Sequence, residues 1–584
     1  MRVFDQYLAA EDMERYLGDP LCPGSRISFQ RVVELDEADQ YPQEFLSRLH
    51  EWGYMNYLVP KPFGGQLRSL EELFALSRVI ARRDLTSAVA TGVCLLGALP
   101  VWLRGTDSQR ARAAELLMGG GKMGFALSEK ERGHDLIAND LSAWANEEGH
   151  YLLNGEKWTI GNATRSDALT LYVKTADTNN PRSHSILFVD KKDLNPSTFE
   201  NTPKIKTLGL RGHDLSGIRF QDSPVSQDTM VGQPGDGLLL ATQTTLITRS
   251  LCSSFMLASA DTLLRSTLQF AKERHLYGKP VTDMQYVRAT LTEVFVDTLI
   301  ADCLATVTMR GLHVITDQAS IWAAAVKYFV PTSIERSLLT LNGILGARFF
   351  LREEHQFGIY QKFYRDAPIV SVFEGGSYSN LQAIALQLRQ LLKPKATEPQ
   401  ALRAELEAIF DLQHPVPEWL DASQLDLHSH GRNTALDGLD LIDELMRDRI
   451  SDRVAEATRD EIAALIEELK SQVESLRTLT RKLHPDKSSD QMEVARRYVH
   501  LHTAAIAVHT WLFNPEHPAD FFRTGEWLVL ALRRLLYGEN PSMGFAPRAD
   551  YVENVFQALE TLFEENRLFA LVPISLGAQN EGAI

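Results

Sequence analysis

The hydrophobic period switches twice along this chain, and that double switch leaves few architectures open. Up to about Gly120 apolar residues recur at helical spacing, as with Leu70, Leu73, Leu76 and Ile80 between Ser69 and Ala81. Turns are expected at Pro60 to Gly65 and at Arg104-Gly105. From Gly124 to about Phe220 the runs become short and β-like: Trp144, His150 to Leu153, Leu169 to Val173 and Ile186 to Val189. Asn154-Gly155 and Asn179-Asn180-Pro181 read as the turns between them. After Gly232 to Gly237 the helical period returns and runs to about Leu392. A Lys/Pro-rich stretch, Lys393 to Pro399, reads as a linker to a further helical region. Its clearest helix carries Ile462, Leu465, Ile466, Leu469, Val473, Leu476 and Leu483 on one stripe and stops at His484-Pro485. The expected fold is mainly α with a central antiparallel β domain. The expected divisions are 1–121 (helical), 122–231 (β), 232–395 (helical bundle) and 400–584 (an extra helical domain). A small β domain between helical ones leaves a cleft between layers, a common place for an apolar ligand.

Composition excludes several classes. The 584 residues are 44% hydrophobic and 23% charged, as in ordinary globular proteins, and the formal net charge is −16. That balance speaks against nucleic acid or an anionic membrane surface as the main partner. Cys22, Cys94, Cys252 and Cys303 are scattered without metal-finger or redox spacing, as for reduced thiols in a cytoplasmic protein. No positive-then-apolar leader is visible, and runs such as Cys94 to Leu103 look too short to span a bilayer. His428-Ser429-His430 and His500-Leu501-His502 with His509 do not read as metal sites, because helical residues two apart point in different directions. No metal is expected.

Glu374 stands out by its surroundings. It follows the apolar run Ile369-Val370-Ser371-Val372-Phe373 and precedes Gly375-Gly376. A carboxyl group set against apolar walls has the surroundings of a general base, and glycines let backbone approach a ligand closely.

Five separated segments place Glu374 in a wider pattern. They are Gly124-Phe125-Ala126-Leu127-Ser128-Glu129 with Gly133-His134-Asp135; Leu153-Asn154-Gly155-Glu156-Lys157-Trp158-Thr159-Ile160-Gly161-Asn162; Arg274-His275-Leu276-Tyr277-Gly278-Lys279-Pro280 with Gln285; Leu341-Asn342-Gly343-Ile344-Leu345-Gly346; and Tyr364-Arg365-Asp366 to Glu374-Gly375. In this order they resemble the acyl-CoA dehydrogenases over about the first 395 residues.

The resemblance implies an FAD-dependent oxidoreductase that forms an α,β double bond in an acyl thioester, carried by CoA or by an acyl carrier protein. Glu374 would be the catalytic base. Leu127, Ser128, Thr159 and Gly161 would border the flavin ring, and His134 its phosphates. Arg274, Tyr277 and Gln285 would reach the FAD of a neighbouring subunit. Asn342, Gly343 and Gly376 would complete the cofactor site, while Arg249 and Gly375 would lie on the substrate side. Read alone, Arg249 and Arg274 are ordinary helix arginines. A homodimer or homotetramer is implied, with an electron-transfer flavoprotein or oxygen as acceptor. The oxidase and a non-catalytic scaffold of the same fold are the alternatives.

The chain departs from the family pattern in places. His134 replaces a serine, Gly161 and Gly376 replace hydroxyl residues, and the flavin-side aromatic comes one position early, as Trp158. The region after about residue 400 could complete a subunit interface, meet a membrane or dock a carrier protein. Its acidic stretches near Asp440 to Asp448 and Glu461 to Glu468 disfavour anionic lipid.

Overall fold

The computed structural model describes residues 4–178, 180–393, 398–420, 424–450, 452–483, 488–538 and 548–577. Asn179 of the expected turn, residues 394–397 of the expected linker and the His484-Pro485 stop lie outside them.

Six helices come first: α1 (Leu8–Leu17), α2 (Phe29–Glu37), α3 (Gln43–Trp52), α4 (Leu70–Ala81), α5 (Leu85–Arg104) and α6 (Asp107–Met118). Helix α4 begins where the sequence places it, because the Ser69 hydroxyl accepts the Glu72 N–H and two glutamates fill the first turn. Helix α5 starts on Asp84, whose carboxylate accepts the Thr86 and Ser87 N–H groups. The apolar run around Cys94 extends further than the sequence reading allowed. Helix α5 is long and apolar enough to cross a membrane, yet 83% of its most apolar window is buried inside the protein. It is the central helix of a core, covered by α4 and the helices that follow the sheet.

The sheet contains β1 (Met123–Ala126), β2 (Ser142–Ala145), β3 (His150–Gly161), β4 (Ala168–Lys174), β5 (His184–Asp190), β6 (Phe199–Thr202), β7 (Leu215–Ser226) and β8 (Met230–Val231). Among the described residues its order is β6-β7-β3-β2-β4-β5-β8, with β1 added on β4. Most pairings are antiparallel as expected, but β1 runs parallel to β4, with Met123 opposite Ala168. Asn154-Gly155 is not a turn. Both residues lie within β3, at a register shift between Leu153 and Gly155. The Asn154 amide exchanges hydrogen bonds with Asp222 of the neighbouring strand, which holds the bulge in place.

Helices α7 (Gly237–Leu251) and α8 (Ser253–Glu273) lead to a two-stranded hairpin, β9 (His275–Leu276) and β10 (Lys279–Pro280). The bundle then completes with α9 (Gln285–Val314), α10 (Ala319–Leu345), α11 (Ile359–Asp366) and α12 (Ser377–Leu391).

Eight more helices form the extension: α13 (Pro399–Phe410), α14 (Thr434–Asp437), α15 (Ile442–Arg449), α16 (Glu456–Lys482), α17 (Ser488–Leu512), α18 (Asp520–Thr524), α19 (Glu526–Tyr537) and α20 (Ala549–Glu564). The stripe expected on α16 faces inward: Ile462, Leu465, Ile466, Leu469, Val473 and Leu476 are buried. Helices α17 and α20 lie on α9, and Arg288–Glu553 (2.5 Å) and Lys272–Glu560 (3.0 Å) tie the edges.

The final described segment runs back across the molecule. The Phe569 N–H donates to Asp261, Leu571 N–H to Asp302, Ser575 N–H to Glu11 and Gly577 N–H to Glu14. Glu14 and Asp261 are fully buried and also hold Arg82, while Arg83 pairs with Glu14 at 2.6 Å. Burial alone would raise the Glu14 carboxyl, but Arg82 and Arg83 hold it below the usual carboxylate range.

Candidate active site

Glu374 sits in a short strained link between a 3₁₀ turn (Ala367–Ser371) and α12. Its φ is 57°, and Gly375 follows at 92°. A non-glycine residue in the left-handed region is costly, on the order of 1–2 kcal/mol, and persists only when its surroundings hold it. Here they do. The Asn380 amide donates to the Gly375 carbonyl (2.9 Å) and the Gly376 carbonyl (3.0 Å). Its oxygen in turn accepts from Arg249 Nη1 at 3.1 Å. Arg249 also donates to Thr245 of its own helix α7. From below, Lys327 of α10 donates to the Val370 carbonyl at 2.7 Å and lies over the Phe373 ring, 4.4 Å from its centroid.

The Glu374 carboxyl accepts from the Cys252 thiol across 3.6 Å, at the break between α7 and α8. Two cations, the buried Lys327 and the half-buried Arg249, therefore lie near one carboxyl group. Burial pulls Arg249 and Lys327 below their ordinary values, and the nearby Glu374 charge opposes that shift in both. Burial, then Glu374, pushes the Cys252 thiol well up, so it stays protonated and can donate. In the sequence Cys252 is only one of four scattered thiols, and Lys327 and Asn380 belong to no motif. They lie on α7–α8, α10 and α12, and no local pattern in any of those segments points to Glu374.

In front of Glu374 a narrow cavity runs between α4, α5 and the α7–α8 junction, walled by Leu73, Val89, Val93, Leu251, Phe255 and Phe373. Tyr54 and Ser77 also border it, with their oxygens 3.3 Å apart. The cavity is apolar on most of its wall, with one carboxyl group.

Val93 also forms the boundary with the β domain, since a Cβ added to Gly161 would come within 2.8 Å of its Cγ2. Strand β3 is bulged a second time there, between Trp158 and Ile160, with Thr159 at φ 59°. The Leu127–Glu129 segment lies beside this bulge. The Ser128 carbonyl accepts the Trp158 N–H at 3.0 Å, and Lys157 Nζ donates to the Leu127 carbonyl and to Glu129. Burial draws the Lys157 ammonium down to about 8 despite Glu129. Lys157 and Glu129 thus have a structural part, fastening one motif segment to the other.

Profiles of the acyl-CoA dehydrogenase N-terminal, middle and C-terminal domains match residues 28–120, 124–223 and 235–388 in order. The chain belongs to the acyl-CoA dehydrogenase family. A relative from Mycobacterium tuberculosis, "Probable acyl-CoA dehydrogenase FadE25", is 26% identical over 346 residues, covering 59% of this chain and 87% of that one. The "Caffeyl-CoA reductase-Etf complex subunit CarC" of Acetobacterium woodii is 26% identical over 347 residues, 59% of this chain and 89% of its own. Among solved structures, an acyl-CoA dehydrogenase complexed with FAD from Bacillus anthracis superposes with a TM-score of 0.60 at 18% identity. It covers 96% of this chain and 95% of its own, so the extension has a counterpart in fold.

An acyl-CoA dehydrogenase of this kind is a flavin oxidoreductase whose cofactor is FAD, and the residues around the bulge fit one. Among the described residues the Ser128 N–H and hydroxyl have no partner within the chain. The half-buried Trp158 offers an aromatic plane at the edge of a shallow surface cavity. The wall at Val93 is shared with the apolar cavity, which would set a flavin edge beside an acyl chain.

The expected site residues fall into four places. Glu374, Gly375, Gly376 and Arg249 are brought together in the link above. Leu127, Ser128, Thr159 and Gly161 gather at the β3 bulge, with His134 on an exposed turn nearby in sequence. Arg274, Tyr277 and Gln285 sit on the outer surface at the β9–β10 hairpin, where Tyr277 is 97% exposed. Asn342 and Gly343 lie in the last turn of α10 rather than in a glycine-rich turn, and the Asn342 side chain accepts from the Tyr360 hydroxyl at 2.8 Å. Arg365 and Asp366 bridge to α2 and to the loop at Leu210: Arg365 pairs with Asp36, and Asp366 accepts the Leu210 N–H. Of the histidines, His502 and His509 are buried, while His428 and His430 are exposed.

Proposed function

We propose that this protein desaturates an acyl thioester between its α and β carbons and passes the electrons to an electron-transfer flavoprotein. One observation carries the reading: a single carboxyl group, Glu374, set on the wall of a narrow apolar cavity that is also lined by Val93, the residue that borders Gly161 beside the β3 bulge.

The acyl chain would lie along Leu73, Val89, Leu251 and Phe255, where water is excluded and electrostatic effects are stronger than in solvent. Glu374 takes the α-proton. Its own backbone N–H has no acceptor among the described residues and is the donor for the thioester carbonyl, where negative charge develops. Cys252 and the Asn380–Arg249 relay keep the carboxyl and its link in one orientation. Bound FAD supplies the acceptor for the hydride that leaves the β-carbon. Leu127, Ser128, Thr159, Gly161 and His134 would contact that cofactor, with Asn342, Gly343 and Gly376 beyond them. Arg274, Tyr277 and Gln285, exposed in one copy, would reach the FAD of a second subunit. The CarC relative is a subunit of a caffeyl-CoA reductase-Etf complex, which supports the acceptor.

The test is anaerobic titration of the FAD-loaded protein with acyl-CoAs of graded length, following flavin absorbance. Bleaching by at least one thioester is expected, with reoxidation by an electron-transfer flavoprotein. Full reoxidation by oxygen with stoichiometric peroxide would replace the proposed acceptor, and no bleaching by any thioester would end the reading.

A further inference from the structure

Gly161 lacks the hydroxyl that the motif carries at its position, and the structure shows what stands in its space. The ring of His213, from the loop before β7, places Nε2 3.1 Å from where a Gly161 Cβ would be. That loop is fixed on all sides. A Cβ on Gly212 would meet the Gln40 carbonyl at 2.2 Å, one on Gly209 the Arg365 carbonyl at 2.3 Å, and the His213 N–H donates to the Leu210 carbonyl. The backbone that carries the imidazole is therefore held in place.

His213 is only 5% exposed, and its Nδ1 is buried without a partner. A buried N–H without an acceptor is rarer and costlier than a buried lone pair without a donor. The proton of the neutral ring consequently belongs on Nε2. That makes Nε2–H a fixed donor aimed at the Gly161 bulge, on the side where Val93 divides the sheet from the apolar cavity.

We infer that His213 is a cofactor-positioning residue, donating from Nε2 to the polar edge of the flavin in place of the side chain that Gly161 lacks. This rests on the proposed FAD site at the β3 bulge. The same crowding explains the glycine: with the imidazole and Val93 in place, no larger residue fits at 161. The departure that makes the chain look impaired in sequence is thus one half of an exchange, whose other half lies about fifty residues downstream in β-domain sequence.

Two measurements test it. In the wild-type protein, deuterium exchange at the His213 ring C2 position, read by mass spectrometry, should slow severalfold when FAD is added to the apoprotein. An unchanged rate in protein that demonstrably binds FAD overturns the inference while leaving the FAD site intact; failure to bind FAD at all would instead remove the site on which it rests. In variants, His213→Phe, which keeps a ring of similar size without the donor, should weaken FAD binding about tenfold, and His213→Gln should restore most of it. Equal FAD affinity in His213→Phe and wild type, with unchanged flavin absorption, also overturns it.

Discussion

The Cys252 thiol donates to the Glu374 carboxyl across 3.6 Å, from the break between two helices to the strained link before a third. It is a weak donor, held protonated by burial, and it fixes the carboxyl without competing for its proton. Cys252→Ala should lower the rate of flavin reduction roughly fivefold, and Cys252→Ser should stay nearer wild type. Stopped-flow bleaching with one thioester measures both; an Ala variant as fast as wild type would show that the contact is incidental.

Glu374→Gln keeps the size of the side chain and removes the base. FAD content and melting temperature should be unchanged, while reduction by thioester falls by about 10²–10⁴-fold. Normal bleaching in this variant would assign proton abstraction elsewhere.

Among the described residues Asn380 connects Arg249 to the two glycine carbonyls behind Glu374. Asn380→Leu breaks the relay and leaves the half-buried guanidinium with fewer acceptors. A loss of about 2 kcal/mol in stability is expected, and kcat should fall more than KM rises. Urea unfolding and steady-state kinetics separate the two effects.

Five buried histidines set an acid limit. Burial draws His213, His313 and His509 down to about 4 and His502 and His517 to about 3. Their unfolded value is about 6.5, so below that pH the unfolded chain takes up protons that the folded one refuses. Each depressed value therefore favours folding above pH ~6.5 and loses that effect as pH falls, by up to about 1.4 kcal/mol per pH unit. Denaturant midpoints should drop steeply between about pH 6 and 4; a midpoint rising over that interval would contradict the burial.

Deleting residues 567–577 should cost stability twice over, since Leu568, Phe569, Leu571, Val572, Ile574 and Leu576 are buried and their backbone donates into the ion cluster. Asp261, Asp302 and Glu14 would each lose a backbone donor inside a buried cluster of arginines. A drop of several degrees in melting temperature is expected, and a shortened chain that melts like the full one would show that water replaces those donors.

The alternation of periods made the helical–β–helical order legible, and the motif order singled out Glu374 and Arg249. The misreadings have physical causes. Asn154-Gly155 has turn chemistry, yet its amide pairs with Asp222 inside a long strand. Leu341 to Gly346 has two glycines, yet helix α10 continues through Gly343 because its neighbours pack on α9 and α8. Cys252, Lys327, Asn380 and His213 could not be found by spacing. Each reaches the site from a different segment, and only packing brings them there.

The return of residues 566–577 to Glu14 has a bearing on how this molecule is made. The acid on the first helix and the arginines just after the fourth emerge from synthesis early, but the amide that completes their hydrogen bonding arrives more than five hundred residues later. Until then a knot of opposite charges in the N-terminal half stays open to water, and residues 566–577 act as the clasp that shuts it.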